Sequence, residues 1–358
     1  MYEKLLESYK YACKDFVGNE THKSNHWKRY YNDVEKFCDL ENIINFRQIL
    51  SEGLDDSNKN ISLKEVVDCF NDLGEKFVMD NLCKKNIGNS PYVVRFKDVF
   101  VDNQVLTQLY WYNDLREHVF KGNKIKSVCE IGGGFGSFAR IILNNHRCKY
   151  ACIDLPEANI MTGYYIHEYF PGLKIYLYSD YVKKGFVSKK DYEKFDVFIL
   201  PPWCIFDDDI KFDLFINTRS MMEMNMDVIS KYFDFIHEHI SNNGYFFNLN
   251  RYIKYMKDTG DAIRLCDYPY GLCWDVCVSK TAHNQKRLHL LLTKKREGEN
   301  HDFIIEIENI CNKTRSFNDS FLERETYFKK TMFNFIKKTL LMFLGKKKLH
   351  GLLERMKN

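Results

Sequence analysis

From Ser127 to Arg140 the chain reads SVCEIGGGFGSFAR, the segment that most narrows what it can fold into. An apolar stretch, Ile125 to Ile131, is broken by Lys126 and Glu130 and runs straight into Gly132, Gly133, Gly134 and Gly136. A helix-like run follows, Phe138 to Leu143. Strand, glycine loop and helix in that order place backbone N–H groups at a helix start, where an anionic or polar part of a nucleotide-like ligand can meet them. The dinucleotide form of this motif wants a third glycine at position 137, which is Ser137 here, and has no use for an acid just before the first glycine. Glu130-x-Gly132-x-Gly134-x-Gly136 instead sets a carboxylate at the strand end, where it can meet an ammonium group.

The methionine tail of S-adenosylmethionine carries such an ammonium, so the segment reads as the first cofactor motif of a class I methyltransferase. Tyr150 to Ile153 is a second apolar strand, and Asp154 ends it. An acid at that tip can take both ribose hydroxyls, with Leu155 beside it in the same binding set. The plain alternative is a strand, a turn and a cap, with Asp154 starting the helix that follows Pro156.

At 358 residues the chain is long for one core. The expected fold class is α/β, a Rossmann-like sheet at 101–297, with a mainly helical region at 1–100 and a basic helical tail at 298–358. Apolar residues recur at helical spacing in Tyr2–Phe16, Trp27–Phe37 and Leu63–Leu82. Tyr92–Val101 reads as a short hairpin and Asn103–Phe120 as an aromatic-rich helix. From Ile125 strands and helices alternate, which argues for a parallel sheet. The expected sequence is a helix at Glu157–Tyr169, strands at Lys174–Tyr178, Phe195–Leu200 and Phe212–Asn217, then a helix from Asp227 to Ile240 that Asn243-Gly244 ends. Tyr245–Leu249 is the next strand, and Leu272–Ser279 with Leu288–Thr293 make a closing antiparallel pair. One strand is surplus, and Phe195–Leu200 is favoured over Lys174–Tyr178 as the third.

Twelve cysteines are scattered through the chain, and no apolar run reaches the roughly 18 residues of a spanning helix. Free thiols in a reducing cytoplasm are expected. Cys266, Cys273, Cys277 and His283 form the nearest thing to a metal cluster, but their spacing matches no zinc pattern.

IDLPE (153–157), FILPPW (198–203), FDLFINTRSMMEM (212–224) and NLNRY (248–252), with SNHWKRYY near Trp27, resemble the bacterial sugar O-methyltransferases of surface-polysaccharide gene clusters. The resemblance covers roughly residues 90 to 295. It implies S-adenosylmethionine as cofactor and a sugar hydroxyl as acceptor, in a capsule or lipopolysaccharide precursor. The acceptor would be a sugar nucleotide or a lipid-linked glycan. Rival readings are a methyltransferase with a non-sugar small-molecule acceptor and a non-catalytic cofactor-binding partner in a glycan-assembly complex.

Methyl transfer needs the acceptor oxygen held in line with the methyl group, and such positioning can supply about 7–11 kcal/mol. A sugar hydroxyl also needs help in losing its proton. Glu223 is the first candidate base, just past the fourth strand, although Ser220-x-x-Glu223 also fits a capping box. No residue set indicates a metal, while magnesium assistance stays open. Asn217 at the strand tip could touch the cofactor's methionine part. Arg219 and Arg251 could hold a phosphate or carboxylate of the acceptor. Pro202 and Trp203 would form a wall near the adenine, and Asp180 is a second adenine contact if Lys174–Tyr178 is the third strand. Trp274 could stack on a sugar or pack in the core, and His237-Glu238-His239 reads as helix surface. Pro201-Pro202-Trp203 is preceded by Leu200, which cannot bond a base amine, so nucleic acid is not expected as a substrate.

The last 33 residues carry nine Lys or Arg against one acid, Glu354. A basic amphipathic helix there, 329–348, suits either the anionic inner face of the cytoplasmic membrane or packing on protein.

Overall fold

The computed structural model describes residues 1–16, 18–19, 39–51, 63–255 and 261–317. The segment around Trp27, the helix expected at Trp27–Phe37 and the basic helix expected at 329–348 fall outside the described residues.

Strands β1 (Val94–Phe96) and β2 (Val99–Val101) form the expected hairpin. The main sheet is built from β3 (Ser127–Ile131), β4 (Lys149–Ile153), β5 (Ile175–Leu177), β6 (Val197–Leu200), β7 (Phe212–Thr218) and β8 (Ile240–Arg251). A second hairpin, β9 (Ile253–Tyr255) and β10 (Ala262–Arg264), follows β8. β11 (Trp274–Ala282) and β12 (Gln285–Lys295) close the main sheet. Its eight strands lie in the order β11-β12-β8-β7-β3-β4-β6-β5. β3 through β8 pair in parallel, and β12 is antiparallel to both β8 and β11. The fold is therefore α/β and Rossmann-like. β6 lies directly beside β4 and β5 at the sheet edge, so the favoured third strand is the one next to the second.

The strand sequences explain why both faces are covered. Side chains alternate across a strand, and nearly every position in β3, β4 and β6 is buried. Val128, Tyr150, Val197 and Leu214 face one core with the helices Asn103–Leu115, Ser137–Asn145 and Pro156–Tyr169. Cys129, Ala151, Phe198 and Phe215 face the other, with Met226–His239 and a helix over 302–317.

Several local expectations need correction. Leu63–Leu82 is two helices, Leu63–Leu73 and Glu75–Asn81, parted at Gly74 (φ 87°). No loop separates Met226–His239 from the next strand: β8 starts at Ile240, and Asn243-Gly244 lies within it at a register shift. The thiols are not all free, because Cys266 and Cys311 are joined as a disulfide 45 positions apart. They meet because the turn Leu265–Asp267 packs against the 302–317 helix, a tertiary contact that spacing does not reveal. Cys273, Cys277 and His283 do not join Cys266; among the described residues its polar neighbours are Asp267 and Cys311. His239 is buried rather than a surface group, bonding through Nδ1 to Ile210 O at 2.8 Å.

Candidate functional site

β3 has β4 on one side and β7 on the other, so chain direction across the sheet reverses there. Ligands of open α/β sheets bind beyond the carboxyl ends of strands at such a switch point. The glycine loop, Asp154, Pro201–Trp203, Arg219–Glu223 and the β9 hairpin all leave from those ends.

The loop is held from below and from the side. Gly134 sits at φ 62°, a region L side chains rarely adopt, and open space lies where its Cβ would be. Its N–H donates to Asp154 Oδ2 at 2.8 Å, and its carbonyl accepts from Thr162 Oγ1 at 2.6 Å. Leu155 N–H donates to Asp154 Oδ1 at 2.7 Å. Asp154 is thus tied to the loop it was expected to work with, and each carboxylate oxygen keeps a further lone pair for ligand hydroxyls. Burial pushes its carboxyl up to about 7, against the two backbone N–H groups, which favour the charged form.

Glu130 is covered more deeply than an acid at an open strand tip. It is 1 % exposed, its Oε2 accepts from Tyr150 OH at 2.9 Å, and a Cβ on Gly133 would meet that same oxygen at 2.8 Å. Oε1 is buried with no hydrogen-bond partner. Burial raises this carboxyl to about 7 as well; the Tyr150 hydroxyl opposes the rise and Asp154 adds to it. An unpartnered buried acceptor beneath the loop fits a ligand that brings a cation or a donor.

Asn217 does not face the cleft. It is fully buried, donating through Nδ2 to Ile131 O (2.9 Å) and Ser220 Oγ (2.5 Å) and accepting at Oδ1 from Asn250 Nδ2 (2.8 Å). Asn250 Oδ1 in turn accepts from Met222 N–H at 3.1 Å. These bonds, with Ser220 Oγ to Ile131 O at 3.2 Å, pin the turn after β7 against the loop after β3. The contact is close: a Cβ on Gly132 would lie 2.1 Å from Ser220 Oγ. The side chain of Asn217 is fully buried within this internal network.

The same turn removes one of the two readings of Glu223. Ser220 makes no side-chain cap bond, so the capping box does not form. Glu223 Oε1 instead pairs with Lys254 Nζ of β9 at 2.8 Å. Arg219 and Arg251 lie close enough to lower Lys254 further, in a group whose proton is already loosened by burial.

Other expected residues fall elsewhere. Pro202 lines a small cavity with Ile153, Cys204 and Tyr232 beyond β4 and β6. Trp203 turns away to Tyr178, donating to its hydroxyl at 3.0 Å, with Phe16 of the first helix nearby. Asp180 is bound to Lys4 at 2.5 Å and caps Leu177 N–H at the sheet edge. It lies beyond β5 because β6 took the inner place, so the condition for an adenine contact is not met. Trp274 is fully buried and donates to Tyr270 O, which makes it core. Sequence reading missed Asn248, Asn250 and Lys254. The first two were legible as alternate polar residues in an apolar strand, which share a face; Lys254 carried no signal.

No family model and no curated protein matches the chain. Among solved structures it is similar to the pyocyanin biosynthetic protein PhzM, at 12 % identity over 54 % of this chain and 56 % of that one, with a TM-score of 0.34. It is similar to an S-adenosylmethionine-dependent methyltransferase from Clostridium acetobutylicum ATCC 824 (12 % identity, 53 % and 90 % covered, TM-score 0.34). A third is magnesium protoporphyrin IX methyltransferase from Synechocystis PCC 6803 with bound S-adenosylmethionine (11 % identity, 66 % and 98 % covered, TM-score 0.31). The match spans little more than half the length of the pyocyanin protein. At such scores these likenesses decide nothing about chemistry, which the site's own residues must carry.

Proposed function

We propose that the chain is an S-adenosylmethionine-dependent O-methyltransferase acting on a sugar hydroxyl of a glycan or glycan precursor. The observation that supports it most is the pairing of Gly134 N–H with Asp154 Oδ2 at the switch point, above a buried glutamate with a free acceptor. Asp154 would take ribose hydroxyls, the Gly132–Gly136 backbone would line the methionine part, and Glu130 would compensate its ammonium. The cofactor supplies an electrophilic methyl group when bound. Pro202 would border the adenine. Glu223, released from Lys254, would accept the proton of the acceptor hydroxyl. The sugar assignment draws its support from the ordered motifs around Asp154, Pro202, Asn217 and Asn248.

Calorimetric titration with S-adenosylhomocysteine tests the cofactor. Asp154→Ala should weaken binding by about 1–3 kcal/mol, the range for a hydrogen bond to a charged group. Gly134→Arg, whose side chain would occupy the space the loop leaves open, should abolish it. Wild-type affinity in a folded Gly134→Arg protein ends the assignment. Transfer of labelled methyl to a panel of sugar nucleotides and cell-surface glycans tests the acceptor, and methylation of non-sugar hydroxyls alone would overturn the sugar reading.

A further inference from the structure

Three cations converge where β7, β8 and β9 end. Arg219 follows β7, Arg251 ends β8, and Lys254 sits in β9, while Arg219 N–H bonds Leu249 O at 2.8 Å. Among the described residues, the acid paired within this group is Glu223, on Lys254 at 2.8 Å. Among the described residues neither guanidinium has a hydrogen-bond or ion-pair partner. Arg219 also stands at φ 62°, a backbone region that non-glycine residues occupy at a cost and that clusters at functional sites. Burial, with like-charge repulsion from Arg251 added and Glu223 opposing, makes Arg219 easier to deprotonate than an ordinary arginine. A cluster built for stability would spread these charges or pair them.

We propose that Arg219, Arg251 and Lys254 bind a phosphoryl group of the acceptor, and that this group takes Lys254 from Glu223. The inference deepens the methyltransferase reading and rests on it only for the identity of the bound molecule as acceptor. The charge count favours phosphate over carboxylate. Among the described residues, three cations against one carboxylate leave an excess of two, which a phosphate or diphosphate matches and a carboxylate does not. Guanidinium forks also suit phosphate oxygens in bidentate pairs. Exchange on Lys254 would couple acceptor binding to Glu223: the anion replaces the carboxylate on the ammonium, and Glu223 loses that cation while it stands beside the acceptor. A phosphorylated acceptor would thereby prepare its own base.

The test uses the full chain and three probes at low salt: inorganic pyrophosphate, UDP-glucose and farnesyl diphosphate in detergent. Arg219→Gln with Arg251→Gln should weaken pyrophosphate binding at least tenfold and leave S-adenosylhomocysteine affinity unchanged. Glu223→Gln should tighten pyrophosphate binding severalfold, because it removes the competitor for Lys254. That sign separates an anion site from a structural ion pair. Stronger binding of UDP-glucose than of pyrophosphate names a nucleotide-linked source, and stronger binding of farnesyl diphosphate names a lipid-linked one. Equal pyrophosphate affinity in wild type and the double variant, or weaker binding in Glu223→Gln, overturns the proposal. Loss of S-adenosylhomocysteine binding by the wild type would overturn the cofactor reading and leave the anion result standing.

Discussion

Glu130 is a carboxyl whose burial opposes the charge its proposed role needs, and that conflict has a measurable sign. Its value in the fold is about 7 against an ordinary 4.5. A carboxyl raised on folding stabilises the protein fully below its unfolded value, and the stabilisation is lost as pH rises through the folded one. Between pH 4.5 and 7 the ligand-free protein should therefore lose on the order of 2–3 kcal/mol through this group. Ligand-free Glu130→Gln should melt above wild type at pH 8 and lose that advantage at pH 5; an equal difference at both pH values would sink the idea. Asp154, also near 7, must be ionised to accept ribose hydroxyls with both oxygens. S-adenosylhomocysteine affinity should then climb with pH up to about 7 and level off above it. For Glu223, replacement by Gln should cut methyl transfer by roughly 10²–10⁴ with little change in cofactor affinity. Unchanged turnover would move proton removal to another group.

Among the elements, the first helix covers the segments that follow β4 and β5. Tyr2–Phe16 buries Leu5, Tyr9 and Ala12 against Pro156–Tyr169 and the 178–181 turn. The approach depends on Gly163, where an added Cβ would lie 2.3 Å from Leu5 Cδ2. Gly163→Ala should cost about 1 kcal/mol or less, because the Leu5 side-chain end must shift while alanine favours the helix, and the cost should vanish in a Leu5→Ala background. Additive costs in chemical denaturation of the four proteins would mean that the two positions do not touch. The amphipathic spacing of this helix was plain in the sequence. Its partner was not, because spacing shows that one face is apolar and not which surface will cover it.

Among the described residues the main sheet has eight strands, and the segments beyond its carboxyl ends, from Gly132 to Lys254, lie more than a hundred residues apart in sequence. Cys266–Cys311 fastens the turn after the β9–β10 hairpin to the 302–317 helix. Cys311→Ala should therefore cost about 2–4 kcal/mol under oxidising conditions and much less in reductant; equal melting in both solvents would show that the bond does not form in solution. Local chemistry was enough to read the α/β class, the strands from β3 to β8, the glycine loop and Asp154, because each depends on residues within one strand–turn–helix unit. Glu130 was identified but not its depth, which Tyr150 and Gly133 impose from other segments. Asn217, Asp180, Trp203 and Trp274 were polar or aromatic residues at strand ends, where sequence cannot separate a ligand contact from an internal bond. The partners of the first three — Asn250, Lys4 and Tyr178 — come from β8, the first helix and the segment after β5, while Trp274 bonds Tyr270 in the loop just before β11. Lys254 on Glu223 is the same case as those three. Strand order and long-range packing bring that ammonium to that carboxylate, and nothing in the spacing of 31 residues between them requires it.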